Sequence, residues 1–133
     1  MELRAPDVQM DASYTVALAA LVQCLVANAG MDEQPPEDAV YIADNKWRAV
    51  RYGMDADFYD FVAGKVIPAR SLARGLVEEL RPVARDLGCE EELGGVLEIV
   101  ELGTGAELQR AALGRSGSLE GVMDYLIEGT APD

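Results

Sequence analysis

The chain has no histidine, and among its 133 residues it has only two cysteines, Cys24 and Cys89. Without histidine there can be no serine–histidine or cysteine–histidine nucleophile pair, no histidine general base and no histidine-ligated zinc. The cysteines form no CxxC pair and no signal peptide is visible, so we expect reduced thiols and a cytoplasmic protein. Any metal would be bound by carboxylate oxygens, which suits Mg²⁺.

Basic residues are also scarce. There are 11 lysines and arginines against 24 aspartates and glutamates, which gives a formal net charge of −13. A protein that neutralises nucleic-acid phosphates needs a basic face, and this chain has too few cations to build a large one. The composition therefore argues against nucleic acid as a partner.

One long segment, Ala12 to Met31, carries no charge. Ser13, Gln23 and Asn28 interrupt it, and no lysine or arginine flanks it closely, which is a poor pattern for a membrane span. We expect a helix buried on most sides in a core, and no membrane partner.

The rest of the chain predicts a mainly α protein. Six or seven helices follow one short N-terminal strand over residues 2–10, and residues 1–133 form a single domain. The first predicted helix is capped by Asp11 and stops near Gly30, and the second begins after Pro35-Pro36 and ends at Gly53. A short helix over 55–64 and a connector over 65–68 follow. The later helices are one capped by Ser71 that stops at Gly88, one over 90–102, one capped by Thr104 and one capped by Ser118. A lone strand needs a partner for its backbone groups, so the chain either dimerises through that edge or continues a sheet supplied from elsewhere.

The first candidate site is Glu2-x-Arg4 with Asp7 nearby. Strand alternation places Glu2 and Arg4 on one face, where a carboxylate and a guanidinium can together hold Mg²⁺ and a phosphate. The alternative is a cross-strand ion pair at the terminus, and because such triplets are common the pattern alone favours it.

The second candidate is the segment 44–53, which holds the only tryptophan and a cluster of cations. Asp44, Trp47, Arg48 and Arg51 recur at helical spacing and share one face. Arginine suits bidentate contacts with phosphate or carboxylate, so this face is a candidate anion-binding wall. The alternative is an Asp44–Arg48 surface pair beside a tryptophan packed into the core, and the pattern alone slightly favours it, because amphipathic helices often carry such pairs.

The third candidate is Gly103-Thr104-Gly105 ahead of a helix that carries Arg110. Backbone N–H groups at such a turn can bind an anion. A turn in which Thr104 caps the next helix explains the same residues, and this interpretation is favoured. Cys89 begins a helix, but the acidic run 90–92 opposes a lowered thiol pKa there.

Together these segments resemble the C-terminal part of the bacterial carboxylate–amine ligase family, which comprises glutamate–cysteine ligase-like enzymes related in fold to glutamine synthetase. The segments that carry the resemblance are the Glu2-x-Arg4 strand, the apolar helix over 15–22, the run Asn-Lys-Trp-Arg-Ala-Val-Arg-Tyr-Gly-Met-Asp-Ala over 45–56, Arg-Pro-Val-Ala over 81–84, Leu-Gly over 87–88 and Gly-Thr-Gly-Ala-Glu-Leu-Gln-Arg over 103–110.

The resemblance implies an α+β fold like that of glutamine synthetase and an ATP- and Mg²⁺-dependent ligase that activates a carboxylate as an acyl phosphate before an amine attacks it. It makes Glu2 a metal ligand and assigns catalytic roles to Arg4, Arg48 and Arg51. Contacts with substrate or nucleotide fall to Asn45, Lys46, Trp47 and Arg110.

Family members begin with a longer region that supplies most of the sheet and of the acidic metal ligands. The chain is therefore expected to be a fragment, an isolated domain or half of a split enzyme, inactive alone and needing the missing N-terminal part. Two alternatives stay open: a non-catalytic helical module that dimerises or binds a partner through its strand edge, and a regulatory domain that holds a small anion with Arg48, Arg51 and Arg110.

Overall fold

The computed structural model describes residues 9–29 and 39–130. The elements in chain order are α1 (Ala12–Asn28), α2 (Ala39–Tyr52), a 3-10 turn (Gly53–Asp55), β1 (Asp57–Asp60), β2 (Lys65–Pro68), α3 (Ala69–Leu87), α4 (Glu90–Leu102), α5 (Gly105–Ser116) and α6 (Leu119–Thr130). The prediction of a mainly α chain is confirmed. The N-terminal strand predicted over residues 2–10 lies mostly outside the described residues, and the two of its positions that are described, 9 and 10, form no strand.

The hydrophobic core lies between α1, α3 and α4. Its largest fully buried side chains are Leu80, Leu93, Val77 and Cys24, so each of the three helices contributes at least one. The Cys24 and Cys89 sulfurs lie 3.7 Å apart, and both cysteines are free thiols. This contact joins α1 to the junction of α3 and α4, across 65 positions of sequence.

Close packing of α1 on α4 depends on small residues. A Cβ placed on Gly95 of α4 would lie 3.0 Å from the Cβ of Ala17 in α1. Ala17 and Ala20 are buried in the same contact, so the two backbones approach without large side chains between them. The uncharged segment is a helix capped as predicted by Asp11, whose carboxylate accepts from the Ser13 backbone N–H at 2.8 Å. The expectation that this helix is buried on most sides was wrong, because only one face packs into the core, while Val16, Leu25 and Val26 are 49%, 38% and 50% exposed. In the described ranges no helix is long and apolar enough to cross a membrane.

The short helix predicted over 55–64 and the connector predicted over 65–68 were wrong. Apart from the 3-10 turn, these residues form an antiparallel hairpin in which Asp57 pairs with Pro68 and Asp60 with Lys65. The Asp60 carboxylate accepts from the backbone N–H groups of Val62 and Ala63 at 2.8 and 3.1 Å, and Gly64 has a φ of +62°, so this turn reverses the chain.

The predicted Ser71 cap was also wrong, because α3 begins two residues earlier at Ala69. The Ala69 N–H donates to the Ala56 carbonyl at 2.8 Å, so the end of the hairpin sets the start of the helix. Pro82 lies inside α3 and starts no new helix, and Gly88 ends α3 in the left-handed conformation as predicted.

Candidate functional site

One face of α2 is fixed on the hairpin by Asn45. Its side-chain amide donates to the Tyr59 carbonyl at 2.9 Å, and its amide oxygen accepts from the Tyr59 N–H at 2.8 Å. These are the two hydrogen bonds that a neighbouring strand would make with Tyr59. Tyr41, on the same face of α2, stacks on the Tyr59 ring with centroids 4.3 Å apart. Asn45, predicted to contact substrate or nucleotide, is therefore already occupied as a structural clamp.

Arg48 lies on the same helix and is paired with Asp44, with Nε 2.6 Å from the Asp44 carboxylate. The surface-pair interpretation of these two residues is confirmed. The accompanying expectation of a tryptophan packed into the core was wrong, because Trp47 is 57% exposed. Its ring and the Tyr52 ring form a T-shaped pair with centroids 5.8 Å apart.

Some of the described cations are held in ion pairs and others are not. Arg70, Arg74, Arg81 and Arg85 form ion pairs with glutamates on neighbouring elements or turns. In the part of the chain that the structure describes, the remaining cations outside the Asp44–Arg48 pair have no ion pair; they are Lys46, Arg51, Lys65, Arg110 and Arg115. Two of these, Lys46 and Arg51, belong to α2. The Arg51 guanidinium lies 5.8 Å from the centre of the Tyr52 ring, so α2 offers two cations that an anion could approach.

The Gly103-Thr104-Gly105 turn is a helix cap, as the favoured interpretation predicted. The Glu107 carboxylate accepts from the Thr104 N–H at 2.7 Å and from the Thr104 hydroxyl at 2.9 Å, which completes a capping box. Gly103 has a φ of +113°, and a Cβ there would lie 3.3 Å from the Glu107 Cβ. Glu107 thus occupies the position that an external anion would need.

Arg70 ties this cap to the core. Its guanidinium donates to the Val100 carbonyl and to the Glu107 carboxylate, and lies 3.7 Å from Asp55. Burial raises the pKa of Glu107, but the Thr104 hydrogen bonds and the Arg70 charge outweigh it, so the pKa lies below the ordinary 4.5. Sequence reasoning missed Arg70, and no local pattern marks it. Glu107 was detectable, because Thr104-x-x-Glu107 is a capping-box spacing.

The predicted site residues are therefore brought together only in part. Asn45, Lys46, Trp47, Arg48 and Arg51 share α2, whereas Arg110 is exposed on α5, which packs mainly against α6. The predicted residues Glu2 and Arg4 lie outside the described residues.

The described side chains do not fit a metal ion, because no group of three or more aspartates, glutamates or cysteines among them is placed to hold one. An open cleft of about 600 Å³ between α1 and α4 is lined by Glu91, Glu92 and Glu98. Three carboxylates would repel phosphate or a carboxylate substrate, so this cleft is a poor anion site.

Comparison with known proteins identifies the chain. Residues 1–128 match the sequence profile described as glutamate-cysteine ligase family 2 (GCS2). The chain belongs to glutamate–cysteine ligase family 2. The resemblance of the 45–56 and 103–110 runs to this family is thereby confirmed.

Individual family 2 proteins are similar over almost the whole chain. "Putative glutamate--cysteine ligase 2-3" of Rubrobacter xylanophilus is 56% identical over 131 residues, which are 98% of this chain and 36% of that protein. "Putative glutamate--cysteine ligase 2-1" of the same organism is 50% identical over 135 residues, and "Putative glutamate--cysteine ligase 2" of Clavibacter sepedonicus is 41% identical over 134. The chain thus spans about a third of the length of these relatives.

Proposed function

We propose that residues 1–133 act as one domain, the C-terminal portion of a cytoplasmic, ATP-dependent glutamate–cysteine ligase, and that they are inactive alone. The family match supports the reaction class, and the one-third coverage of the relatives supports the need for a further part. The site is supported by one observation on α2. This helix carries two cations, Lys46 and Arg51, that form no ion pair among the described residues, although the chain has a net charge of −13.

In this reaction a glutamate carboxylate oxygen attacks the terminal phosphorus of ATP and ADP leaves, giving an acyl phosphate. The cysteine amine then attacks the acyl carbon, phosphate leaves and an amide bond forms. The transferred phosphoryl group carries negative charge throughout, so positioned cations lower the barrier more than a covalent catalyst would. The absence of histidine is compatible with that mechanism.

We assign different roles in this reaction to the residues of α2. Arg51 is available to approach a phosphate, and Lys46 and Trp47 are exposed on the same helix. Asp44 holds the Arg48 guanidinium in place, so we assign Arg48 the role of a positioned positive charge beside the anion. Arg4 and Arg110 are retained as further anion contacts and Glu2 as the Mg²⁺ ligand, all three on family resemblance. The described residues supply no metal site, so we assign no step to the metal.

The test uses the R. xylanophilus relative with its matching segment replaced by this chain, hereafter the joined ligase. Arg51→Ala is expected to lower glutamate- and cysteine-dependent ADP release by about 10²-fold, the typical loss for a removed transition-state donor. Arg48→Ala is expected to lower it as well, and Arg115→Ala, an exposed cation on α5, serves as the control. Unchanged kinetics for Arg51→Ala, with an unchanged circular dichroism spectrum, would remove α2 from the site.

A non-catalytic helical interaction module is the second candidate, and the exposed Trp47 on α2 favours it. Mass measurement and a nucleotide-binding titration distinguish the two. The module would be supported by two results together: the isolated chain is a dimer by mass, and neither the isolated chain nor the joined ligase binds Mg-ATP.

A further inference from the structure

An exposed apolar stripe runs along α2 on the side turned away from the hairpin. Val40, Ala43, Trp47 and Val50 recur at i, i+3, i+7 and i+10, which places them on one face of the helix. We call these four residues the α2 stripe. Val40 is 72% exposed, Trp47 57% and Val50 90%, so most of the stripe surface is exposed in the part of the chain that the structure describes.

The stripe is not the face that holds α2 on the chain. Tyr41 and Asn45 make the contacts with the hairpin, and they project from a different side of the helix. α2 has no buried residue at all. A helix with one face attached and a second apolar face exposed is typical of an element between two layers, the second of which lies outside the chain.

Charge limits what can cover the stripe. Lys46 and Arg51 flank it and form no ion pair among the described residues. A covering surface with an apolar centre would leave both cations at its rim, where they stay available to the anion proposed above. A second copy of this chain is disfavoured, because each copy has a net charge of −13 and the two would repel each other.

The length of the relatives indicates which surface covers the α2 stripe. The R. xylanophilus protein matches this chain over 36% of its length, so nearly two thirds of it lies outside the match. We propose that the α2 stripe is the docking surface for that remaining part of the ligase, with Trp47 and Val50 as the central contacts. Tryptophan at the centre of an interface commonly carries a large share of its binding energy. This inference rests on the function proposed above.

The experiment compares one substitution in two settings. In the isolated 133-residue chain Val50→Glu should leave the Tm unchanged, because Val50 is 90% exposed. In the joined ligase the same change places a carboxylate in an apolar interface, and the Tm should fall by at least about 3 °C. Leu119→Glu on α6, where Leu119 is 75% exposed, is the matched control and should change neither Tm.

Stability is read here independently of catalysis, so an inactive joined ligase that still shows the Val50→Glu loss would refute the proposed function and keep the docking surface. An unchanged Tm in the joined ligase would overturn the docking proposal. So would a dimer of the isolated chain that Val50→Glu dissociates, since the occupant would then be a second copy. If the joined ligase does not give a cooperative melt, amide exchange over 39–52 that is no slower there than in the isolated chain would also overturn it.

Discussion

Asn45 shows how one side chain can decide where a helix lies. Its amide makes both hydrogen bonds to Tyr59 and replaces a missing strand at the edge of β1. A two-stranded hairpin is marginal by itself and needs a third strand or a helix for stability. The residue assigned from sequence to substrate or nucleotide binding is, in this chain, what attaches α2 to the hairpin.

Asn45→Ala should therefore loosen the α2–hairpin contact by about 1–2 kcal/mol, because two part-buried backbone groups lose their partner. Amide exchange at Tyr59, followed by NMR, should accelerate accordingly. Lys46→Ala, at an exposed neighbouring position, should leave that rate nearly unchanged. Equal rates for the two variants would contradict the role of the clamp.

Glu107 is the second residue whose environment has a measurable consequence. Burial opposes its charge, but Thr104 and Arg70 stabilise the carboxylate more strongly, so its pKa lies below 4.5 in the folded chain. A depressed carboxyl pKa contributes stability that is complete above the unfolded value of 4.5 and is lost as the pH falls through the folded value.

Glu107→Gln should thus destabilise the chain by about 1–2 kcal/mol at neutral pH, through loss of the charged pair with Arg70, since glutamine can still complete the capping box. As the pH falls below 4.5, the difference in free energy of unfolding between the parent chain and Glu107→Gln should shrink. Urea denaturation at a series of pH values measures it. Glu101→Gln, which removes an exposed pair with Arg74, should change little at any pH. If the difference in free energy of unfolding between the two proteins grew as the pH fell, the lowered pKa assigned to Glu107 would be contradicted.

Among the elements, those with local signals were predictable and those fixed by distant contacts were not. Asp11, Gly88 and Thr104 marked helix ends through their own side chains or backbone, and the structure confirms all three. The hairpin was missed because four-residue strands hold too few residues for a reliable alternating pattern. Its position depends on Asn45 in another element, which no local pattern reveals.

The core contacts were predictable as a set of apolar residues but not as pairs. Cys24 lies in the uncharged segment that was expected to enter the core, and it is buried. That its thiol would meet Cys89, 65 positions away, depends on how α1 crosses the α3–α4 junction. The contacts of Arg70 could not be predicted for the same reason, because its partners Val100 and Glu107 belong to α4 and α5.

The α1–α4 contact gives the most direct test of element packing, through two adjacent glycines. Gly94→Ala should stabilise the chain by about 0.5–1 kcal/mol, because alanine favours the helix and a Cβ there meets nothing within 4 Å. Gly95→Ala should be less stable than Gly94→Ala by about 1 kcal/mol or more, because its Cβ would lie 3.0 Å from Ala17. Thermal denaturation compares them, and equal stabilities would contradict the close approach.

At the scale of the whole molecule, the chain combines a packed three-helix core with a helix that has an apolar face exposed. The family and the one-third coverage of its relatives explain that combination if α2 joins this domain to the rest of a ligase. Sequence alone predicted that the segment of α2 carries candidate site residues. It could not show that Asn45 and Arg48 are engaged within the chain while Lys46, Trp47 and Arg51 face outward.

The most direct test of this account is ADP release in the presence of ATP, glutamate and cysteine. The isolated chain should release no ADP above background, and the joined ligase should release it only when both amino acids are present. ADP release by the isolated chain that depends on glutamate and cysteine would contradict the claim that this domain is one part of a larger active site.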